Sequence, residues 1–514
     1  MGPRSIPDGD NKKVVYRVNH WFDCLSQVHR FQIHAPTADQ PHVRVTHSSR
    51  LTCDNFIERI QKSGARDEFT FGAKRDLCQS LFQKALSVFR ASPATGQSPS
   101  DMNIGVSLSV NFPGLSSTAK SHDKPLDTFT LTNKSDMTFM QALDPETLEP
   151  RGVAAQKVLH PDLKGPISAA HASVDPVTGD FYNFNIEVGA KGATYRAFTT
   201  SASTGKTTIL ATIKHAPAYL HSTYLTENFF VLCIWNSFFS AGGASILWNR
   251  NYVDALSDWD ASKPATWYAI GRTEATKGLI ATYKGDPYFA FHSINAFEEP
   301  NADDATQTDL VLDVVAYDNL DVIKRFYIDN VLSDSATARD YADTSTRGAF
   351  RRFRLPKVPR ASNAKPLRAV TEFSGDKGLA PELPVINGAL VATKRYRYVY
   401  GVTDSGKSTF LDGLVKFDPQ EKSYLLWNEP AQTPGEPIFV ADPARPDQED
   451  GGVLLSVVLD GVEGKSYLLV LDAETLKEVG RAKVDGVVGF GFHGIHVTDA
   501  LMAGSGNGKS NAKL

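Results

Sequence analysis

From Ile104 onward the chain is a long series of short apolar or alternating runs, each closed by Pro, Gly or Asp, without helical periods between them. DTFTLTN, DFYNFNIEV, FFVLCIW, YFAFHSINAF, LVLDVVAY, GVLLSVVLD and SYLLVLDA are examples. Runs of this length, rich in β-branched and aromatic residues and bounded by turn formers, are strands. Three connections share one form, Asp-x-x-Thr, at Asp144-Pro145-Glu146-Thr147, Asp175-Pro176-Val177-Thr178 and Asp472-Ala473-Glu474-Thr475. The Asp offers a side-chain acceptor to the turn, and Pro presets its dihedral. A strand, turn, strand unit repeated over about four hundred residues predicts an all-β fold, a β-propeller rather than a parallel α/β sheet, with two packed sandwiches as the alternative. The most helical part lies before it. Residues 56–64 and 74–90 predict two surface helices, the second with Leu77, Leu81, Leu86 and Phe89 at helical spacing, and 91–103 predicts a loop.

The charge balance narrows the partners. With 54 Lys+Arg against 58 Asp+Glu, scattered and without a basic block, the chain is not built to neutralise a row of phosphates, so no nucleic acid partner is expected. Four cysteines, Cys24, Cys53, Cys78 and Cys233, lie far apart with no CxxC pair, which supports neither a zinc knuckle nor a disulfide scaffold and fits a reducing compartment. The N-terminal residues hold no apolar core of a secretory signal, so a cytoplasmic location is expected. Residues 229–248 are uncharged and long enough to span a bilayer, but Asn236, Ser237, Gly242 and Gly243 break the stretch, and FFVLCIW suits a buried strand.

One motif is a decoy. Residues 401–408, GVTDSGKS, fit the phosphate-loop expression GxxxxGK[ST]. Its mechanism needs a helix after the loop, whereas TFLDGLVKFD alternates like a strand, so a hairpin tip is predicted and no nucleotide partner is expected.

Thirteen histidines include four in apolar or Gly-rich strand contexts: His171, His221, His292 and His493. None has local metal-motif spacing, and each taken singly reads as a core histidine. A propeller changes that reading, because the inner strands of successive blades converge on one axis.

The strings around these residues resemble the carotenoid cleavage oxygenases, the retinal pigment epithelial membrane protein family. NHWFD (19–23), LDPETLEP (143–150), AHASVDPVTGDFYNF (170–184), PAYLHSTYLTENFFVL (217–232), YFAFHSINAFEE (288–299), ELPVIN (382–387), GEPIFV (435–440) and GFHG (491–494) run in the family's order over nearly the whole chain. The resemblance implies a seven-bladed β-propeller with a helical and loop-built cap over its top face, around 51–90 in part. It also implies iron, Fe(2+), on the propeller axis, held by His171, His221, His292 and His493 as the metal-binding and catalytic set. Four neutral imidazoles leave ferrous iron its full charge and open positions for O2. Glu382, Glu436 and Asp136 are expected to accept the distal N–H of these rings. Asp136 stands where family members often carry Glu, so it is expected to reach its histidine only through water. His496 is expected on the opposite face of a strand from His493 and outside the ligand set.

A single oxygenase domain is expected over 12–503 and a disordered tail over 504–514. Family members carry a further segment before NHWFD, so part of the first blade is expected to be missing.

The branch most resembled is the fungal torulene and apocarotenoid cleavers, through residues 44–60, 69–89 and 103–114. Stilbene-cleaving members place a Lys where Ser135 stands, while Lys134 faces away. The implied activity is non-haem iron(II) dioxygenase cleavage of a conjugated C=C bond of a carotenoid or apocarotenoid, torulene-like or β-carotene-like, giving aldehydes. Phe229, Phe230, Trp235, Phe238, Phe239 and Trp248 are the expected aromatic supply for its apolar tunnel, and the uncharged stretch after His221 offers peripheral membrane contact. The alternatives are a stilbene oxygenase of the same fold and a noncatalytic lipid- or protein-binding propeller.

Overall fold

The computed structural model describes residues 5–7, 13–66, 68–73, 98–115, 130–189, 192–273, 276–332, 344–359, 362 and 365–498. Among the described residues, six sheets of four or five strands follow one another along the chain, each built on antiparallel neighbours. The first blade runs through Ser107–Val110, Leu131–Lys134, Phe139–Leu143 and Pro150–Ala155. The second holds Ser173–Val174, Phe181–Gly189, Gly192–Thr200 and Thr207–His215. The third holds Tyr224–Leu225, Phe229–Ile234, Ala265–Gly271 and Gly278–Gly285, with Leu367–Arg368 added in parallel at its edge. The fourth is Phe289–Pro300, Thr308–Tyr317, Ala349–Val358 and Val370–Ser374. The fifth is Glu382–Val385, Val399–Thr403, Gly413–Asp418 and Ser423–Trp427. In the sixth, Gln432–Pro434 and Ile438–Ala441 both pair with Gly452–Asp460, followed by Lys465–Asp472 and Glu478–Val484.

The strands are apolar because each blade's middle strands are covered on both faces by neighbouring blades. Phe229–Ile234 is buried at every residue, and the core joins it to Trp267, Tyr288, Phe297 and Phe353 of the third and fourth blades. The uncharged stretch 229–248 therefore resolves into this strand, a 3-10 turn at Ser240–Gly243 and a short helix at Ala244–Asn249. No helix among the described residues is long and apolar enough to cross a membrane.

The three Asp-x-x-Thr connections fold alike. Asp144 Oδ1 accepts from the Glu146 and Thr147 amides, Asp175 Oδ1 from those of Val177 and Thr178, and Asp472 Oδ1 from Thr475. The residue after each Thr is left-handed: Leu148 at φ 61°, Gly179 at 75° and Leu476 at 54°.

Two expectations change. Among the described residues there are six blades, not seven. The N-terminal stretch supplies a two-stranded hairpin, Gln27–His34 with Arg44–Leu51, and no more strands pair with it. Its Val28 packs on Leu131, Leu143 and Leu148 of the first blade, and Arg44–Leu51 touches Glu478–Val484 of the sixth, so the hairpin sits where the ring meets itself. Of the two predicted helices, the first is present as Asp54–Ser63, ending at Gly64 with φ 69°, and 74–90 lies outside the described residues. So does the tail at 504–514.

Candidate metal centre

The blade strands converge on four histidines. His171 and His221 stand just before the inner strands Ser173–Val174 and Tyr224–Leu225, His292 lies within Phe289–Pro300, and His493 lies in the irregular segment after the sixth blade. Their ligand-type nitrogens all lie within 4.8 Å of one another. The His171 and His493 Nε2 atoms are 2.9 Å apart. His171 ring centroids to His221, His292 and His493 measure 4.8, 4.7 and 4.2 Å. His496 is outside the cluster, and since its segment is not a strand, the expected reason, alternation of faces, is not the one at work.

Three carboxylates turn the rings inward. Glu382 Oε1 lies 2.8 Å from His292 Nδ1, and Glu436 Oε1 lies 3.2 Å from His493 Nδ1. Asp136 faces His221 Nδ1 at 2.8 and 2.9 Å through its two oxygens. The expected water-mediated contact is thus replaced by a direct one. The reason is that the turn between Leu131–Lys134 and Phe139–Leu143 carries the Asp136 backbone close enough for the shorter side chain, and Tyr219 O–H donates to Asp136 Oδ2 at 2.9 Å. Tyr219 escaped the sequence reading. Its signal was position, two residues before His221 on an extended segment and so on the same side.

These neighbours set the chemistry. With Nδ1–H donating to a carboxylate, the Nε2 atoms of His221, His292 and His493 carry their lone pairs toward the other rings. Burial and the neighbouring imidazoles hold His171 well below its ordinary value, and burial lowers His493 to about 4 although Glu436 opposes it. Burial pushes the Glu382 carboxyl up to about 8, so at neutral pH it keeps its proton unless a cation at the ring nitrogens favours the carboxylate that accepts His292 Nδ1–H. The His493 Nε2 lone pair faces the His171 Nε2 at 2.9 Å, a separation that needs either a proton on His171 Nε2 or a cation between the two rings. The donor set therefore fits a divalent metal that accepts imidazole.

A cavity opens beside the histidines. His221, His292, His493 and Glu382 line it together with aromatic residues that include Trp21, Phe22, Phe71, Phe291 and Phe326. None of the six aromatics expected to line a tunnel does so. Phe229, Phe230, Trp235 and Phe239 are buried in the core, Phe238 packs against it, and Trp248 is 42% exposed on the Ala244–Asn249 helix. Ser135 lines the cavity, whereas Lys134 is buried with its Nζ 5.5 Å from the Phe181 ring.

The decoy loop is a hairpin tip. Val399–Thr403 pairs antiparallel with Gly413–Asp418, and the amides of Ser405 and Lys407 donate to the Asp412 carboxylate at 2.9 and 2.8 Å.

Fold and site together define a β-propeller with a carboxylate-buttressed four-histidine centre. The chain belongs to the retinal pigment epithelial membrane protein family, whose model matches residues 4–498. It is 38% identical to a carotenoid dioxygenase of Neurospora crassa, over 96% of this chain and 85% of that protein. It is also 38% identical to a torulene dioxygenase of Fusarium fujikuroi, over 97% and 88%. Among solved structures, the cobalt-substituted apocarotenoid oxygenase of Synechocystis shares the fold, with a TM-score of 0.67 and 19% identity over 96% of this chain and 90% of that one.

Proposed function

We propose that this chain is a non-haem iron(II) dioxygenase that cleaves a conjugated C=C bond of a carotenoid or apocarotenoid. The observation that carries this reading is the inward-facing set His171, His221, His292 and His493, backed by Asp136, Glu382 and Glu436, at the wall of an aromatic cavity. The 38% identity to proteins named as carotenoid and torulene dioxygenases supports it. In the overall reaction one C=C and one O=O bond break and two C=O bonds form, so no external reductant is needed.

Bound at these histidines, iron would supply binding and activation of O2. The chain's own residues do the rest. The three carboxylates accept Nδ1–H and fix ring orientation and tautomer. The rings of Phe22, Phe71 and Phe291 give the polyene an apolar wall and exclude water from the reacting bond. Lys134, held against Phe181 in the blade, gives no cation to a phenol, which weighs against a stilbene. The same proposal includes peripheral membrane contact at Ala244–Asn249, where Leu247 and Trp248 are 58% and 42% exposed.

Aerobic incubation of the iron-loaded protein with torulene, β-carotene, an apocarotenal and resveratrol, with product analysis by mass spectrometry, tests the reading. Aldehyde products from a polyene are expected. Cleavage of resveratrol alone would make it a stilbene oxygenase, and no cleavage of any of the four would leave a binding propeller.

A further inference from the structure

Of the three carboxylates that orient ligand rings, two are themselves held by donors of the chain. Asp136 accepts from the Ala170 amide at 3.1 Å and from the Tyr219 hydroxyl at 2.9 Å, and Glu436 Oε2 accepts from the Gly494 amide at 2.7 Å. Glu382 differs. Its Oε1 faces His292 Nδ1 at 2.8 Å, and its buried Oε2 has no hydrogen-bond partner among the described residues. A carboxylate without a second donor keeps its direction only through packing and through the backbone that carries it.

That backbone is irregular. Glu382 pairs with Val402 and Val385 with Tyr400, so two residues, Leu383 and Pro384, stand opposite Gly401 alone. One extra residue on one strand is a β-bulge, and where its first position is left-handed, glycine normally fills it. Here that position is leucine, at φ 51°. Pro384 suits the second position, having no N–H to give to the ladder. Gly401 lets the bulge sit, since a Cβ there would lie 2.5 Å from the Pro381 carbonyl carbon and 2.6 Å from the Glu382 carbonyl oxygen.

A left-handed leucine is strained, and such strain persists only where the surroundings fix it. Leu383 is 5% exposed and belongs to the apolar cluster that holds Tyr400, Val402 and Leu411. It also stands at the wall between two cavities. The aromatic cavity and a smaller one lined by His171, Ser173, Thr223 and Ser293 share His292, His493 and Leu383. Glu382 lines the aromatic cavity and Pro384 the smaller one, so the chain passes from one to the other at the left-handed residue.

We propose that this bulge aims Glu382 at His292, with Leu383 and Gly401 as positioning residues for the metal centre. The leucine side chain anchors a stretch of backbone that glycine would leave loose, and Gly401 supplies the room. The inference rests on the reading of the four histidines as a metal site and is independent of the substrate.

Competition between the metal-free protein and a chelator for Co2+, with the visible absorption of the bound ion as a second readout, tests it without turnover. Leu383→Gly and Gly401→Ala should each weaken binding by about tenfold, as loss of a ring-orienting partner does, and should shift the cobalt bands in the direction that Glu382→Gln shifts them. Leu383→Met, which keeps the bulk of the side chain, should bind as the unaltered protein does. The deciding measurement is a double-mutant cycle. In a Glu382→Gln background Leu383→Gly and Gly401→Ala should cost nothing further, within about twofold, whereas in an Asp136→Asn background their loss of about tenfold should return. Equal losses in the two backgrounds overturn the inference, since they show a blade loosened in general, and so does unchanged binding in both single variants. Should Gly401→Ala fail to fold, as melting of the metal-free protein would show, Leu383→Gly and Leu383→Met decide. Unaltered protein that binds no Co2+ removes the metal centre itself and the inference with it, a failure distinct from any seen in the variants.

Discussion

Asp136 holds His221 through two oxygens although its side chain is one methylene shorter than a glutamate, and Tyr219 shares the load by donating to the same carboxylate. The three carboxylates are therefore equivalent in contact. Asp136→Asn, Glu382→Gln and Glu436→Gln should each weaken metal binding by about ten- to hundredfold, measured by competition with a chelator, because each loses the acceptor that orients a ligand ring. A markedly milder Asp136→Asn would restore the water-bridged geometry. His20 gives a pH prediction. It is fully buried, its Nε2 2.9 Å from the Ile323 carbonyl and its Nδ1 accepting from the Phe22 amide, so the neutral ring is satisfied at both nitrogens. Burial lowers its pKa below the ordinary 6.5, with Asp23 and the Ile323 carbonyl opposing. The unfolded chain then binds a proton that the folded one refuses, so this contribution to stability is complete above about pH 6.5 and is lost as pH falls. The melting temperature should drop on acidification below that point, less steeply in His20→Gln. The four histidines, Glu382 and Glu436 were legible in the sequence because each sits inside a recognisable string, whereas Asp136 lies outside them and was read from its place ahead of LDPETLEP. Tyr219 was not legible, because its partner Asp136 stands 83 positions away in the chain.

The turns were the most legible elements. An Asp followed by a Thr three residues on folds the same way at Asp144, Asp175 and Asp472, since the Asp carboxylate satisfies amides that the turn would otherwise leave open. Gly179 takes the left-handed position at no steric cost, so Gly179→Ala should destabilise by about 1–2 kcal/mol in urea denaturation. The hairpin at 401–408 shows why a matching pattern misleads. Gly401 is needed where the strand passes the fifth blade's own backbone, since a Cβ there would lie 2.6 Å from the Glu382 carbonyl oxygen. The loop amides already face the Asp412 carboxylate, so Asp412→Ala should cost about 1–3 kcal/mol by leaving them unpaired, while Lys407→Ala should leave oxygenase activity unchanged. Saturable phosphate binding lost in Lys407→Ala would refute the hairpin reading. What composition could not tell was which aromatics reach the cavity. Phe229–Ile234 is covered on both faces, whereas Trp21, Phe22 and Phe326 arrive on segments outside the blades' sheets.

The ring as a whole is joined at two levels. A continuous apolar core runs through the second to fifth blades, and a second cluster joins the fifth to the sixth. At the axis, the inner segments of the second, third and fourth blades and the tail segment bring the four histidines together, and the third and fourth blades also join there through Ser222 Oγ–H to the Phe291 carbonyl and Ser293 Oγ–H to the Thr223 carbonyl. The resemblance implied seven blades and the described residues form six, since Gln27–His34 and Arg44–Leu51 pair only with each other. A metal binds this assembled set and not the unfolded chain, so it should stabilise by mass action, about 4 kcal/mol at a thousandfold excess over its dissociation constant. Chelation should accordingly lower the melting temperature, and His171→Ala should abolish that dependence on metal, as calorimetry with and without a chelator would show. The spacing of the ligands carries this further. His171 and His493 touch across 322 residues of chain, so an ion between them is a latch on nearly two thirds of the polypeptide. A chain in which the last segment has not swung home presents three teeth of the latch instead of four and holds metal weakly, which makes tight metal retention a proofreading mark that separates finished rings from unfinished ones.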